Sequence, residues 1–269
     1  MDYDTYMDIF PRTISWNPWH GCRKVSRGCL NCYMFEGDRR RGVPGSDVVT
    51  KSKTQFDLPI QKDRNGRYKL NDMLLLTSMT SDFFIEEADE WRDDAWMMMS
   101  KRKDLTFEIL TKRPHRIMDC LPEDWGDGYP NVRMSVSAED QDAWDERVPI
   151  LLSIPAVKRD VYIAPIIGPI DVGEMLSRGG IDAVYVGGEY CSKGARPCDF
   201  EWVRGIREEC VRNDTTFIWR NTGTYLLKDG ETFCIESISE QGKLAASVGI
   251  DYIVDPILPS KRAVQSKLF

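Results

Sequence analysis

Asn131-Val132-Arg133-Met134-Ser135-Val136 is a short, largely apolar run, and the helical pattern of residues 138–154 follows it directly. This pairing of a strand candidate with a helix candidate recurs along the chain. The strand candidates are residues 13–16, 73–77, 106–111, 131–136, 161–164, 183–186 and 215–219, and the helix candidates are residues 86–101, 114–120, 138–154 and 200–213. Continuous apolar strands separated by helices indicate a parallel sheet covered on its outer face. The sequence therefore predicts an α/β fold, a partial or complete β/α (TIM-like) barrel with parallel strands.

The predicted barrel takes up residues 1–269 as a single domain, a length that is common for one-domain barrels. Two stretches fall outside the alternating pattern. Residues from about 36 to 70, rich in Gly and Pro, are predicted to be an irregular insertion, and a loosely patterned C-terminal tail begins at about residue 255.

Composition and charge limit the classes of function. An apolar content of 42% is ample for a buried core. The net charge of −7 argues against nucleic-acid binding over the whole surface, although a local basic groove is compatible with it. Six cations lie close together at the N-terminal side, either as such a groove or as a solvated loop: Arg23, Lys24, Arg27, Arg39, Arg40 and Arg41.

Membrane and export signals are not found in the sequence. No run approaches the ~18 consecutive apolar residues of a membrane span, and the first residues do not resemble a signal peptide. We therefore expect a cytoplasmic protein with no membrane partner. In that compartment its eight cysteines are expected to be thiols or metal ligands.

Three cysteines, Cys22, Cys29 and Cys32, lie within a short polar segment after the first strand candidate. A 4Fe-4S cluster normally takes four cysteines, one for each iron. Three cysteines leave one iron with an open position, at which a molecule other than the protein can bind and react. The segment therefore predicts a catalytic 4Fe-4S cluster.

Zinc is the competing interpretation of the same segment. His20 lies two residues before Cys22 and would complete a Cys3His tetrahedron. On that hypothesis the metal only stabilises a loop, and the protein is a nucleic-acid or protein interaction module without catalysis. The unequal gaps between the three cysteines differ from the usual paired zinc pattern.

Polar residues follow five of the strand candidates. The carboxyl ends of the strands form the active-site face of a β/α barrel, so these residues are expected to share one site with the cysteines. They are Ser78 and Asp82, Lys112 and Arg113, Ser137 and Glu139, Gly187-Gly188-Glu189, and Arg220 and Asn221.

The cysteine triad resembles the radical S-adenosylmethionine superfamily, although the first gap is longer than in that superfamily's commonest motif. Over residues 16–221 the chain also resembles a phage- and prophage-borne, uncharacterised three-cysteine family. The blocks that carry this resemblance are Trp16-Asn17-Pro18 with Gly21-Cys22, residues 26–33, residues 78–84, residues 110–114, residues 135–140, Gly187-Gly188-Glu189 and Ala195-Arg196-Pro197.

The superfamily resemblance implies a cofactor set and roles for several residues. The cofactors are a 4Fe-4S cluster on Cys22, Cys29 and Cys32 and S-adenosylmethionine, which chelates the open iron and is cleaved by one electron, usually to a 5′-deoxyadenosyl radical. An external donor, flavodoxin- or ferredoxin-like, is implied as the electron source. The cofactor-binding residues implied are Tyr33 near the adenine, Ser78 at the methionine amine, and Ser135, Ser137 and Glu139 near the ribose or the methionyl carboxylate.

The substrate is predicted only as a chemical class. Lys112 and Arg113 beside Pro114, with Arg196, suggest an anionic group, while ion pairs with Asp82 or Glu189 are the alternative. A nucleotide or nucleic acid fits a phage association by analogy only. The predicted substrate-binding residues are Asp82, Lys112, Arg113, Glu189, Arg196 and Asn221.

Overall fold

The computed structural model describes residues 12–191 and 193–254. Its strands are β1 (Thr13–Trp16), β2 (Trp19–His20), β3 (Thr50–Lys51), β4 (Leu74–Thr77), β5 (Thr106–Thr111), β6 (Val132–Ser137), β7 (Lys158–Ile163), β8 (Ala183–Gly187), β9 (Cys198–Asp199), β10 (Thr216–Asn221), β11 (Tyr225–Lys228) and β12 (Glu231–Cys234). Its α-helices are α1 (Tyr33–Arg41), α2 (Asp89–Lys101), α3 (Gln141–Ser153), α4 (Gly173–Ser177), α5 (Phe200–Arg212) and α6 (Ile238–Val248).

Seven parallel strands form one sheet in the order β1-β4-β5-β6-β7-β8-β10, which is also their order along the chain. Right-handed crossovers in that order place the connecting helices on one face, and the sheet curls around the other. β1 and β10 lie at the two ends of this order and do not pair with each other within the described residues, so the barrel is partial, as the sequence predicts. All seven strand candidates are confirmed.

The two faces of the sheet differ in chemistry. The convex face packs against the helices through apolar side chains such as Phe107, Met134 and Val161. The concave face carries the residues between them in sequence, among them Glu108, Arg133 and Asp160, each at most 7% exposed. Alternation along each strand therefore separates an apolar core from a buried polar interior.

Some predicted elements differ from the structure. The helix predicted for residues 114–120 is two 3-10 turns, Pro114–Arg116 and Met118–Cys120. The helix predicted to begin at 138 starts at Gln141, because Asp140 caps it by accepting a hydrogen bond from the Ala143 amide at 3.1 Å.

The predicted insertion is less irregular than expected. Residues 33–41 form α1, which ends where Gly42 adopts a left-handed conformation with φ of 67°. Beyond it the segment contains β3 and a 3-10 turn, Leu58–Ile60. The small sheet β12-β11-β9 and helix α6 were not predicted, and the tail from residue 255 lies outside the described residues.

Arg102, only 1% exposed, fastens the insertion to the end of α2. Its guanidinium donates to the carbonyls of Pro59 and Leu70, bonds the Asp104 carboxylate and lies 3.9 Å from the centroid of the Tyr68 ring.

In the described part of the chain, none of the helices has the length and the apolar composition that a membrane span requires.

We expect Arg102→Met to lower the free energy of unfolding by about 3 kcal/mol, because two buried carbonyls lose their donors. Urea denaturation measures the change. Arg178→Met is the matched control, since Arg178 is exposed and, among the described residues, pairs with Glu174 alone, so the substitution should change stability by less than about 0.5 kcal/mol. Equal effects of the two substitutions would contradict this assignment.

Candidate functional site

The three cysteines lie on residues 21–32, which we call the cysteine loop. It follows β2 and leads into α1, with Cys32 at the N-cap position of that helix. Its first amide, of Gly21, donates to the Thr80 carbonyl at 3.1 Å, so the loop starts against the segment after β4. Cys29 is buried, and Cys22 and Cys32 are half-buried.

Asp82, after β4, is the first of three buried carboxylates beneath this loop. It accepts hydrogen bonds from the Thr111 hydroxyl at 2.7 Å and the Lys112 amide at 3.0 Å, and it pairs with Arg113 at 3.1 Å. The same Arg113 guanidinium donates to the carbonyl of Arg23 at 3.1 Å. Asp82 therefore holds the loop next to Cys22 through Arg113.

Glu139, after β6, is the second carboxylate and contacts the loop directly. Its Oε1 accepts from the Gly28 amide at 3.2 Å, and its Oε2 accepts from Lys112 at 3.2 Å and from Arg147 at 3.0 Å. Burial alone would raise the pKa of Glu139, but the charges of Lys112 and Arg147 outweigh it and hold the pKa at about 2. The carboxylate therefore stays ionised and fixes the loop next to Cys29.

The fit between Glu139 and the loop requires glycine at position 28. A Cβ added to Gly28 would stand 2.7 Å from the carboxyl carbon of Glu139, well inside van der Waals contact. The backbone amide can reach the carboxylate only because no side chain intervenes.

Glu189, after β8, is the third carboxylate. It accepts a hydrogen bond from Asn31 Nδ2 at 3.0 Å and forms a bidentate ion pair with Arg196. Burial raises the pKa of Glu189, but its hydrogen bonds with Arg196 and Asn31 and the charge of Arg196 outweigh burial and lower the pKa. Arg196 in turn donates to the carbonyl of Arg27 at 3.0 Å. Each stretch between or beside the cysteines thus has its own carboxylate-centred anchor.

Ser78, the first residue after β4, has φ of 60° and is 3% exposed. Its hydroxyl oxygen is buried and has no hydrogen-bond partner among the described residues. Residues other than glycine rarely adopt this backbone conformation, and those that do cluster at functional sites. Tyr33 donates its hydroxyl hydrogen to the neighbouring Met79 carbonyl, so the start of α1 lies beside the same segment.

The thiol of Cys22 lies in a charged, partly desolvated environment. Burial and, to a smaller extent, Asp82 raise its pKa to about 11, while the hydrogen bond and charge of Arg113 act in the opposite direction. Without a metal, Cys22 is therefore protonated at neutral pH. A coordinated metal takes the place of that proton.

The cysteine loop offers three thiols as ligands for a cluster, and a carboxylate engages the histidine that the zinc alternative needs as its fourth ligand. His20 Nε2 lies 2.7 Å from Oδ2 of Asp38, whose side chain is fully buried, and this pairing engages the histidine that a Cys3His site needs. Within residues 12–191 and 193–254, no three His, Cys, Asp or Glu side chains are arranged to hold one metal ion.

The structure brings the predicted residues to one end of the sheet but gives many of them a partner there. Arg113 pairs with Asp82, the partner named by the ion-pair alternative, whereas Lys112 pairs with Glu139 and Arg196 pairs with Glu189. Ser135 bonds Glu108 deeper in the concave face, while Ser137 is buried at the end of β6.

Gly187 and Gly188 serve close packing of the protein itself. A Cβ on Gly187 would stand 2.8 Å from the Asn221 amide nitrogen, and one on Gly188 would stand 2.4 Å from the Thr222 carbonyl oxygen. The segment after β10 therefore fills the space next to both glycines. Asn221 also caps that segment by accepting a hydrogen bond from the Gly223 amide at 2.9 Å.

A buried polar cluster on the concave face was missed by sequence reasoning. Arg133 forms a bidentate pair with Asp160, at 2.7 and 2.8 Å, and lies 3.3 Å from Glu108. Tyr162 and Tyr185 stack beside them with ring centroids 4.5 Å apart. A signal was present in β6, where Arg133, Ser135 and Ser137 alternate with apolar residues.

Residues 9–253 match the family described as "Protein of unknown function (DUF5131)". The chain belongs to this family. No curated protein shows significant sequence similarity to it. Membership rests on most of the chain, including the cysteine loop and all seven strands of the sheet.

Solved structures similar to the chain include spore photoproduct lyase in complex with a dinucleoside spore photoproduct. The identity is 14%, the TM-score 0.49, and the match covers 87% of this chain and 72% of that one. A double mutant of that lyase, with bound AdoMet and the photoproduct, matches at 16% identity and a TM-score of 0.45, over 72% of this chain and 60% of that one. At these identities the likeness is one of fold and says nothing of the activity of this chain.

We expect Glu139→Gln to loosen the cysteine loop, because a neutral amide no longer forms ion pairs with Lys112 and Arg147 and accepts a weaker hydrogen bond from the Gly28 amide. Trypsin cleavage after Arg23, Lys24 and Arg27 in metal-free protein should be at least about tenfold faster than in wild type, corresponding to about 1.4 kcal/mol. Glu208→Gln, which changes an exposed carboxylate on α5, is the control and should leave the rate unchanged. A wild-type rate in Glu139→Gln would show that Glu139 does not anchor the loop.

Proposed function

We propose that the chain is a radical S-adenosylmethionine enzyme whose cluster is held by Cys22, Cys29 and Cys32. One observation carries the proposal: three thiols, without a fourth in their loop, are held over the strand ends of a partial barrel by Asp82, Glu139 and Glu189. A bound 4Fe-4S cluster would supply the electron that cleaves the sulfonium of S-adenosylmethionine.

The chain's own residues hold the loop and exclude water. The cysteine loop has almost no regular secondary structure, so its conformation depends on its contacts with the strand ends. A cluster with one open iron needs its three thiolates at fixed places, and three separate anchors meet that need. Water exclusion matters as well, because reactive intermediates are quenched by stray reactants.

Ser78 and Tyr33 are the best-placed cofactor residues of the predicted set. The buried, unpartnered hydroxyl of Ser78 can bond the amine of S-adenosylmethionine, and the half-exposed Tyr33 ring borders the same segment. Ser137, at the end of β6, remains a candidate cofactor-binding residue. Glu139 acts through Gly28, since its oxygens already accept from the Gly28 amide, Lys112 and Arg147.

The reductant is proposed to be an external flavodoxin- or ferredoxin-like protein in the cytoplasm. The cysteine loop reaches the surface, since Val25 and Leu30 are exposed beside Lys24 and Arg27. A surface that combines apolar and cationic side chains suits an acidic redox partner.

After anaerobic reconstitution, we expect about four irons and four sulfides per chain, with the brown colour of a 4Fe-4S cluster. Replacing Cys22, Cys29 or Cys32 by Ala should abolish retention of the cluster. Cys234→Ala, which removes an exposed cysteine on β12, is the control and should retain it. Colourless protein that contains one zinc, lost in His20→Ala, would establish the zinc alternative instead.

We expect Ser78→Ala to weaken S-adenosylmethionine binding by about tenfold, the value of one hydrogen bond to a charged group. Equilibrium dialysis with cluster-containing protein measures the dissociation constant. Ser153→Ala, at the exposed end of α3, should bind as wild type does. An unchanged dissociation constant in Ser78→Ala would remove Ser78 from the cofactor site.

A further inference from the structure

The cations that the sequence assigned to an anionic substrate are engaged elsewhere. Lys112 pairs with Glu139, Arg113 with Asp82, and Arg196 with Glu189, and the last two also donate to loop carbonyls. An anion that took any of these cations would release a buried carboxylate and one anchor of the cysteine loop. A substrate anion therefore needs a different partner.

Arg220, near the end of β10, is a cation of a different kind. It is exposed, and its side chain makes no hydrogen bond or ion pair within the described residues. The pairing of β10 with β8 shifts register between Trp219 and Asn221, which makes Arg220 the extra residue of a β-bulge. Bulges redirect side chains and are frequent beside active sites.

Arg220 follows a residue of β10 that lies on the concave face of the sheet. Ile218, two residues earlier, packs there against Tyr185 and Tyr162. In agreement with this position, the charge of Arg220 lowers the pKa of Glu108, Tyr162 and Tyr185, although burial, the larger effect, raises all three. Arg220 therefore lies at the concave side of the partial barrel.

The concave face is closed at its base and open towards Arg220. Glu108, Ser135 and Asp160 are at most 3% exposed. Nearer the carboxyl ends, Leu110, Tyr162 and Asn221 are only half-buried. Apolar and aromatic side chains next to one unpaired guanidinium form a site of the kind that small organic anions occupy.

We propose that Arg220 binds the anionic group of the substrate, a small molecule with a carboxylate or phosphate group and an apolar body that lies against Leu110 and Tyr162. The guanidinium offers a bidentate pair to either anion. The proposal rests on the proposed function in so far as the ligand is the substrate of that site. It replaces Lys112, Arg113 and Arg196 as the recognition residues.

Binding of simple probes tests the proposal without any turnover. The probes are phenyl phosphate, benzoate and the neutral benzyl alcohol, titrated into reconstituted protein by isothermal calorimetry and ligand-observed NMR. We expect at least one of the two anions to bind wild type tenfold or more tightly than benzyl alcohol. Which anion binds more tightly distinguishes a phosphate-bearing substrate from a carboxylate-bearing one.

Three variants locate the binding. Arg220→Gln should reduce anion affinity to the level of benzyl alcohol, and Arg220→Lys should retain part of the preference for the anion. Arg204→Gln, an exposed arginine on the outer helix α5, should bind as wild type does. Neither Arg220 variant is expected to unfold, because the exposed side chain makes no hydrogen bond or ion pair within the described residues, and thermal denaturation verifies this.

Three results would overturn the proposal: no preference for either anion, anion affinity that survives Arg220→Gln, or an equal loss of S-adenosylmethionine affinity in that variant. The last would show that Arg220 binds the cofactor's carboxylate. Failure of the proposed function is a separate outcome, seen as wild-type protein that holds no iron-sulfur cluster yet still binds an anion through Arg220.

Discussion

The site depends on three buried carboxylates, Asp82, Glu139 and Glu189, placed after β4, β6 and β8. Burying a carboxylate is costly unless it is paired and fully hydrogen-bonded. Each of the three meets that requirement with a cation and with contacts to, or through that cation to, the cysteine loop. The same ion pairs and hydrogen bonds therefore neutralise the buried carboxylates at the strand ends and fix the conformation of the loop.

This arrangement explains why a cation-rich site is not an open anion site. Arg113 and Arg196 each bridge a carboxylate to a loop carbonyl, so their positive charge is neutralised by the protein itself. The concave face follows the same rule at its base, where Arg133 neutralises Asp160. Within the described residues, Arg220 differs from Arg113, Arg133 and Arg196 because it has no carboxylate partner, and the substrate proposal follows from that difference.

The sequence was a good guide to the sheet and to the position of the cysteines. Each strand is a short, mainly apolar run that can be recognised locally, and barrel geometry then brings the strand ends together. The individual ion pairs could not be predicted from the sequence, because whether Arg113 pairs with Asp82 or Glu189 depends on distances across strands and not on spacing along the chain. Sequence reasoning likewise missed α1, whose polar composition resembles a loop, and the bulge at Arg220, which only strand pairing reveals.

The central claim is that the cysteine loop holds a 4Fe-4S cluster with one iron open to S-adenosylmethionine. Electron paramagnetic resonance of the dithionite-reduced, reconstituted protein, recorded with and without S-adenosylmethionine, tests it most directly. The account predicts a reduced-cluster signal whose g values shift when S-adenosylmethionine is added, because the ligand binds the open iron. A cluster signal that S-adenosylmethionine leaves unchanged, or no cluster signal at all, would contradict it.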